Sequence, residues 1–227
     1  MNEKHKIKAV FFDMDGVLYD SMPAHSAAWV SAMTQFGYYF TINDCYLNEG
    51  RTGDDTINQQ ALLQFGRAAT RAEMDNIYAL KTEFFEKTGG AAPMPFANEL
   101  LQKIKQQGME IVLVTGSGQA SLLDNLNRDF PYIFNKNNTV TAFDVKYGKP
   151  NPEPYLLALK KAGCQPNEAI VVENAPLGIQ AAKAANMFVI AVNTGTLDDK
   201  ILYDCGANIV FTSIKELFEK WDELDVL

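Results

Sequence analysis

Short apolar runs alternate with longer amphipathic segments along most of the chain. The runs lack the regular exchange of apolar and polar residues that marks a strand with one wet face, and strands buried on both faces of a parallel sheet have this pattern. The runs that we interpret as strands are Ile7–Phe12, Ile111–Val114, Ile170–Val172, Phe188–Val192 and Ile209–Phe211. Strands that alternate with helices in this way predict an α/β fold with a Rossmann-like, doubly wound parallel sheet.

The segments between these strands carry the start and stop signals of helices. Residues 152–162, for example, open with proline and are followed by Gly163. Proline in the first turn and glycine just beyond the last turn are the residues that these positions favour. We predict helices over residues 95–104, 152–162 and 176–185, and a last helix from Thr212.

Residues 22–91 break the alternation, because they have helical spacing and no convincing strand. Thr70 and Glu73 have the form of a capping box in front of one of these helices. The stretch ends in Gly-Gly-Ala-Ala-Pro at 89–93, a composition typical of a hinge. We therefore predict a helical cap over 22–91, inserted into a Rossmann-like core of residues 1–21 and 92–227. A single long crossover connection is the alternative.

Charge and composition exclude several classes of protein. The 227 residues include 28 acidic and 20 basic side chains, which gives a formal net charge of −8, and Lys and Arg do not cluster. We therefore expect no nucleic-acid partner. No run reaches the roughly 18 apolar residues of a membrane-spanning helix, so we expect no membrane association.

Cysteine and histidine usage narrows the chemistry further. The three cysteines lie far apart and show no metal-binding spacing, and the start of the chain lacks the features of a secretory signal. These observations favour a cytoplasmic protein, which we expect to be a monomer. Only two histidines are present. Carboxylates and oxygen ligands must therefore carry most of any chemistry.

Side chains capable of such chemistry follow the predicted strands where each strand ends. They are Asp13 and Asp15, then Thr115 with Gly116, Ser117 and Gly118, then Lys149 ahead of a helix, and finally Glu173 and Asn174. The carboxyl ends of parallel strands share one edge of the sheet, and ligands bind there. Each group alone has an ordinary explanation, such as a turn, a solvated lysine or a helix cap. Their combination favours a functional site.

These groups suit phosphoryl transfer. A carboxylate can attack phosphorus to form an aspartyl phosphate, and a second one two residues on can exchange protons with leaving group and water. Lys149, Thr115 and the N–H groups of residues 116–118 would balance the charge of the phosphoryl oxygens. An oxygen ligand set suits Mg²⁺. A calcium loop is excluded because Val17 and Tyr19 hold two of its ligand positions.

Four motifs occur in order along the chain: FFDMDGVL at 11–18, Thr115, KPNPEP at 149–154 and ENAPLGI at 173–179. With a helical insertion after the first motif, they resemble the haloacid dehalogenase superfamily in its β-phosphoglucomutase-like branch. The resemblance implies that Asp13 is the nucleophile and Asp15 the general acid/base, while Thr115 and Lys149 hold the phosphoryl group. It also implies that Asp13, the Asp15 carbonyl, Glu173 and Asn174 bind Mg²⁺.

Departures from this family pattern concern the substrate. Family members usually have aspartate where this chain has Asn174, and the mutases have basic residues at the positions of Glu49, Gly53 and Gly118. In the mutases, those basic groups bind the second phosphate of a sugar bisphosphate. The combination of Glu49, Asn174 and a cap tyrosine such as Tyr78 resembles instead the inorganic pyrophosphatase group of this branch, in which the cap carboxylate is thought to act through the metal site.

Two further cap residues are candidates for substrate binding. Arg51 either takes a terminal phosphate or pairs with Asp54 or Asp55, and His25 matches the mutases in position. Taken together, the sequence predicts a Mg²⁺-dependent phosphohydrolase that acts on a small phosphorylated anion through an aspartyl phosphate, with inorganic pyrophosphate preferred. The alternatives are a β-phosphoglucomutase or another sugar-phosphate phosphatase or mutase of the same family and, more remotely, a non-enzymatic phospho-acceptor domain.

Overall fold

The computed structural model describes residues 6–88, 90–117 and 122–226. Within these ranges, six parallel strands form one sheet in the order β3-β2-β1-β4-β5-β6. The strands are β1 (Ala9–Phe12), β2 (Glu110–Val114), β3 (Thr139–Val140), β4 (Ala169–Glu173), β5 (Phe188–Val192) and β6 (Ile209–Phe211). The predicted doubly wound α/β fold is confirmed. Strand β3 escapes the sequence pattern because two residues form no recognisable apolar run.

Helices cover both faces of the sheet, which explains why its strands read as continuous apolar runs. Val10 and Phe12 of β1 pack into one apolar layer, whereas Ala9 and Phe11 pack into the opposite one. The helices of this part are α5 (Ala97–Gln106), α6 (Leu122–Asp129), α7 (Glu153–Ala162), α8 (Pro176–Ala184), α9 (Asp199–Asp204) and α10 (Ile214–Lys220). In the described part of the chain, no helix is both long and apolar enough to cross a membrane.

Among the described residues between β1 and α5, where the sequence predicts an insertion, there are four helices: α1 (Met22–Gln35), α2 (Ile42–Asn48), α3 (Gly53–Phe65) and α4 (Arg71–Glu86). They enclose an apolar core of their own around Met33, Ile57 and Ile77. The capping box predicted at Thr70 and Glu73 is confirmed at the start of α4. Gly89, in the predicted hinge, lies outside the described residues. The domain boundaries near residues 21 and 91 stay a prediction.

Candidate active site

The sheet order places three chemically capable residues at the ends of neighbouring strands. Asp13 follows β1, Thr115 follows β2 and Asn174 follows β4, and β1 lies between β2 and β4. All three side chains are buried. The Thr115 hydroxyl accepts the Ser117 N–H at 3.0 Å, which closes the turn that follows β2. Parallel strand ends therefore bring together groups that are far apart in sequence.

Lys149 connects the residues in the buried part of the site through three hydrogen bonds. Its ammonium nitrogen lies 2.5 Å from Asp13 Oδ1, 2.5 Å from Glu173 Oε1 and 3.1 Å from the Val114 carbonyl oxygen. Only 2 % of its surface is exposed. Burial alone would lower the pKa of Lys149, but the carboxylates of Asp13 and Glu173 raise it well above its ordinary value. Lys149 therefore carries a fixed positive charge against Asp13.

Glu173 is fully buried, and its two oxygens accept from four donors. A carboxylate offers about four acceptor positions, so those of Glu173 are filled. A metal ion could reach Glu173 only by displacing one of these donors. Its role as a metal ligand therefore stays a prediction, and in this structure the side chain accepts a hydrogen bond from Lys149.

Asp15 belongs to a second network, which reaches into the inserted helices. Its Oδ1 accepts from the Ser21 hydroxyl at 2.6 Å and lies 3.1 Å from His25 Nε2. The other ring nitrogen, Nδ1, lies 3.0 Å from Lys81 Nζ. Because the lysine can only donate, Nδ1 accepts and Nε2 carries the proton that it donates to Asp15. Burial would raise the pKa of Asp15, yet His25, Ser21 and Lys81 together hold it below its ordinary value.

Glu49, at the end of α2, meets Asn174 across the boundary between insertion and sheet. Its two carboxylate oxygens accept from Asn174 Nδ2 at 3.0 and 3.1 Å. Burial raises the pKa of Glu49 well above its ordinary value, and the charge of Asp13 adds to this effect. Burial also raises the pKa of Asp13, although Lys149 opposes the rise. Burial thus disfavours the charged forms of both carboxyls, and a further positive charge nearby would favour them.

A divalent cation fits this arrangement. Asn174 Oδ1 is buried and has no hydrogen-bond partner among the described residues, and buried polar atoms are rarely left in that state. Among those residues, no group of three or more His, Cys, Asp or Glu side chains is placed to hold a metal. The donors that could hold Mg²⁺ are Asp13 and Asn174 Oδ1, with Glu49 nearby, and the Asp15 carbonyl stays a prediction from the resemblance.

A cavity of about 90 Å³ lies between the strand ends and the inserted helices. The predicted site residues that line it are Asp13, Asp15, His25, Glu49, Arg51, Tyr78, Gly116 and Ser117. The lining does not include the buried residues Lys149, Thr115, Glu173 and Asn174. Arg51 pairs with Asp55 at 2.6 Å, which was one of its two predicted alternatives. Gly118 lies outside the described residues.

Three residues of the two networks escaped the sequence analysis: Ser21, Lys81 and Tyr155. Lys81 lies four residues after the buried Ile77 on α4, on the face that packs inward, and only 6 % of it is exposed. A lysine on an apolar helical stripe is a signal that the sequence offered. The roles of Ser21 and Tyr155 carry no such signal, because both depend on partners supplied by other elements.

Comparisons with known proteins identify a family and several relatives. Residues 7–186 match the family described as haloacid dehalogenase-like hydrolase. Hexitol phosphatase A of Escherichia coli is 32% identical over 197 residues, which cover 83% of this chain and 84% of that protein. A candidate β-phosphoglucomutase from Bacteroides vulgatus has a solved structure that superposes with a TM-score of 0.93 at 53% identity, covering 97% of this chain and 89% of that one.

A further relative is much longer than this chain. Protein SUPPRESSOR OF QUENCHING 1, chloroplastic, from Arabidopsis thaliana is 30% identical over 209 residues, which make up 90% of this chain but only 19% of that protein. The chain therefore corresponds to one segment of that relative, whereas it spans most of the E. coli phosphatase. The family match and the phosphatase relative together show that the chain belongs to the haloacid dehalogenase-like hydrolases.

Proposed function

We propose that the protein is a Mg²⁺-dependent phosphohydrolase that removes the phosphoryl group from a small phosphorylated sugar or polyol through an aspartyl phosphate on Asp13. The observation that carries the proposal is the pair of carboxylates, Asp13 and Asp15, which open on one cavity and are held by separate networks. The choice of substrate class is supported by the hexitol phosphatase of E. coli and by the candidate β-phosphoglucomutase of B. vulgatus.

In the first step, a carboxylate oxygen of Asp13 attacks phosphorus, and the bond from phosphorus to the leaving oxygen breaks. Asp15, in its protonated form, gives that oxygen a proton. In the second step, water attacks the phosphorus of the aspartyl phosphate while Asp15 takes its proton. The bond between phosphorus and the Asp13 oxygen breaks, which frees the Asp13 carboxylate and inorganic phosphate. Lys149 offsets the charge near Asp13, and Gly116, which lines the cavity, can offer its N–H group to the phosphoryl oxygens.

Mg²⁺ bound by Asp13, the Asp15 carbonyl and Asn174 would neutralise charge on the phosphoryl group and orient its oxygens. The unpartnered Oδ1 of Asn174 supports this assignment. We further propose that residues 22–91 act as a cap, because the α2–α3 turn already lies against the core. A Cβ at Gly116 would lie 3.1 Å from the Gly50 carbonyl oxygen, and one at Gly148 would lie 3.2 Å from Thr52 Cγ2.

Inorganic pyrophosphate is a second candidate substrate, favoured by one feature of the cavity. Glu49 projects into it while bound to Asn174, and Tyr78 covers Gly53 so closely that a Cβ there would lie 2.2 Å from the ring. A cavity of about 90 Å³ in this arrangement suits a compact anion. The comparisons favour sugar phosphates instead, so pyrophosphate ranks second.

A substrate panel distinguishes these functions. Phosphate release is measured in Mg²⁺ for hexitol phosphates, both glucose phosphates, glycerol 1-phosphate and pyrophosphate, with Asp13→Ala as the blank. The proposal expects the highest kcat/KM for a sugar or polyol phosphate, and a higher value for pyrophosphate would put the second candidate first. Interconversion of glucose phosphates after a trace of bisphosphate, without phosphate release, would identify a mutase. Absence of phosphoryl transfer from every substrate would contradict the phosphohydrolase.

A further inference from the structure

Tyr155 is completely buried on α7, and its hydroxyl meets a charged group of the site. The hydroxyl donates to Glu173 Oε1 at 2.8 Å, and the ring centre lies 5.5 Å from the Lys149 ammonium. Core tyrosines commonly find one hydrogen-bond partner, so packing alone would account for burial. This partner, however, is the carboxylate that also contacts Lys149 at 2.5 Å.

Glu173 has little freedom to move from this position. Its Oε1 accepts hydrogen bonds from the Lys149 ammonium and the Tyr155 hydroxyl. Its Oε2 accepts from the N–H groups of Asn174 at 3.0 Å and Ala175 at 3.2 Å. The carboxylate lies flat against the first turn of α8, where a Cβ at Gly178 would be 1.8 Å from Oε1. The absence of a side chain at Gly178 thus provides the room that the carboxylate occupies.

The position of the Lys149 ammonium is fixed just as firmly by its hydrogen bonds. An ammonium group has three protons to donate, and its three acceptors are Asp13, Glu173 and the Val114 carbonyl. If Glu173 turned or shifted, the ammonium would follow it, because the carboxylate is its stronger partner outside Asp13. The distance from Lys149 to Asp13 therefore depends on what holds Glu173.

We infer that Tyr155 is a positioning residue, whose hydroxyl orients Glu173 so that Glu173 holds the Lys149 ammonium against Asp13 and does not serve as a metal ligand. The inference rests on the proposed function, in which Lys149 offsets charge at the nucleophile. Without the hydroxyl, Oε1 keeps an unfilled acceptor position in a dry site, and Lys149 moves towards it. Attack by Asp13 then loses part of its charge compensation, while the cavity that receives substrate is unchanged.

Tyr155→Phe tests the inference because it keeps the ring and removes only the hydroxyl. The matched control is Tyr38→Phe, since the Tyr38 hydroxyl is also buried but has no partner among the described residues and lies in the core of the inserted helices. We expect kcat of Tyr155→Phe to fall about tenfold with KM within about twofold, in line with the loss of a hydrogen bond to a charged group. An unchanged kcat, or an equal loss in Tyr38→Phe, would overturn the inference.

Magnesium titration by calorimetry supplies a readout apart from turnover. Asn174→Ala is expected to raise the Mg²⁺ Kd about tenfold or more, whereas Glu173→Gln and Tyr155→Phe change it less than about threefold. A larger loss of Mg²⁺ affinity in Glu173→Gln than in Asn174→Ala would place Glu173 on the metal and refute the inference.

A third measurement separates this inference from the proposed function. If the wild-type protein transfers no phosphoryl group from any substrate in the panel, the proposed function fails, but the position of Lys149 can still be observed. In ¹⁵N-lysine NMR, the buried ammonium should give a slowly exchanging signal, assigned by its absence in Lys149→Met. The signal should persist in Tyr38→Phe and broaden or shift in Tyr155→Phe, and an unaltered signal in Tyr155→Phe would refute the positioning role.

Discussion

The carboxylate of Glu49 accepts two hydrogen bonds from the side-chain amide of Asn174, although the two residues are 125 positions apart in the chain. Glu49 ends α2 in the inserted helices, and Asn174 follows β4 in the sheet. The amide nitrogen turns towards Glu49, so Asn174 Oδ1 turns away from it and remains buried without a partner among the described residues. One amide thus joins the insertion to the sheet and leaves its oxygen available to a cation.

Asn174→Asp should weaken this contact, because it places a second carboxylate about 3 Å from Glu49 in a buried site. We expect kcat/KM to fall about tenfold at a fixed, subsaturating Mg²⁺ concentration. Adding Glu49→Gln should restore part of the loss, and the double-mutant cycle should give a coupling of about 1 to 3 kcal/mol. Strictly additive effects of the two substitutions would show that the contact does not matter for activity.

Lys81→Met should lower activity without unfolding the protein. Methionine has a similar volume and loses no solvation on burial, whereas the Lys81 ammonium is buried beside His25 and its pKa is lowered by that burial. Breaking the chain from Lys81 through His25 to Asp15 should reduce kcat about tenfold or more, with Tm unchanged or higher. Lys87→Met is the control, since Lys87 is exposed after the same helix and pairs with Glu83. Equal kcat values for the two variants would contradict the prediction.

Ser21→Ala should destabilise the protein in a pH-dependent way. The Ser21 hydroxyl helps to hold the pKa of Asp15 below its ordinary value, so its contribution is present above the unfolded pKa of about 3.9. That contribution is lost as the pH falls through the lower, folded pKa. We expect the difference in unfolding free energy to be about 1 to 2 kcal/mol at pH 7 and to shrink below pH 4.

Ser26→Ala provides the comparison, because the Ser26 hydroxyl donates to the Pro23 carbonyl and to no carboxylate. Its effect on stability, followed by urea unfolding at each pH, should not change between pH 7 and pH 3. A constant difference for Ser21→Ala over the same range would show that Ser21 does not influence the ionisation of Asp15.

Gly53→Ala should be destabilising despite the high helix propensity of alanine. Gly53 is the first residue of α3, and a Cβ there would lie 2.2 Å from Tyr78 Cδ2. We expect a loss of about 1 to 3 kcal/mol from this overpacking. In a Tyr78→Ala background the same substitution should cost nothing or stabilise the helix, because the ring is gone. Thermal unfolding of the four proteins tests this, and a similar loss in both backgrounds would point to a cause other than the ring.

Much of the candidate site could be predicted from the sequence because it depends on local order. Asp13 and Thr115 each stand directly after an apolar run, and parallel strand ends meet at one edge whatever the details of packing. The inserted helices could be predicted for the same reason, through spacing and the capping box at Thr70. By contrast, the two-residue β3 has too little pattern to be recognised, and the contact of Lys81 with His25 exists only because α4 packs beside α1.

Periodicity and end signals act over a few residues, so they were sufficient to predict the fold class, a helical insertion and the carboxylates at the strand ends. The partner of each charged group, by contrast, depends on how the folded elements pack together. Glu173 is hydrogen-bonded to Lys149 and Tyr155. Lys81 is hydrogen-bonded to His25, and Glu49 to Asn174. These pairings join helices and strand ends that meet only when the insertion packs against the sheet, and a buried charge takes whichever partner that packing brings within reach.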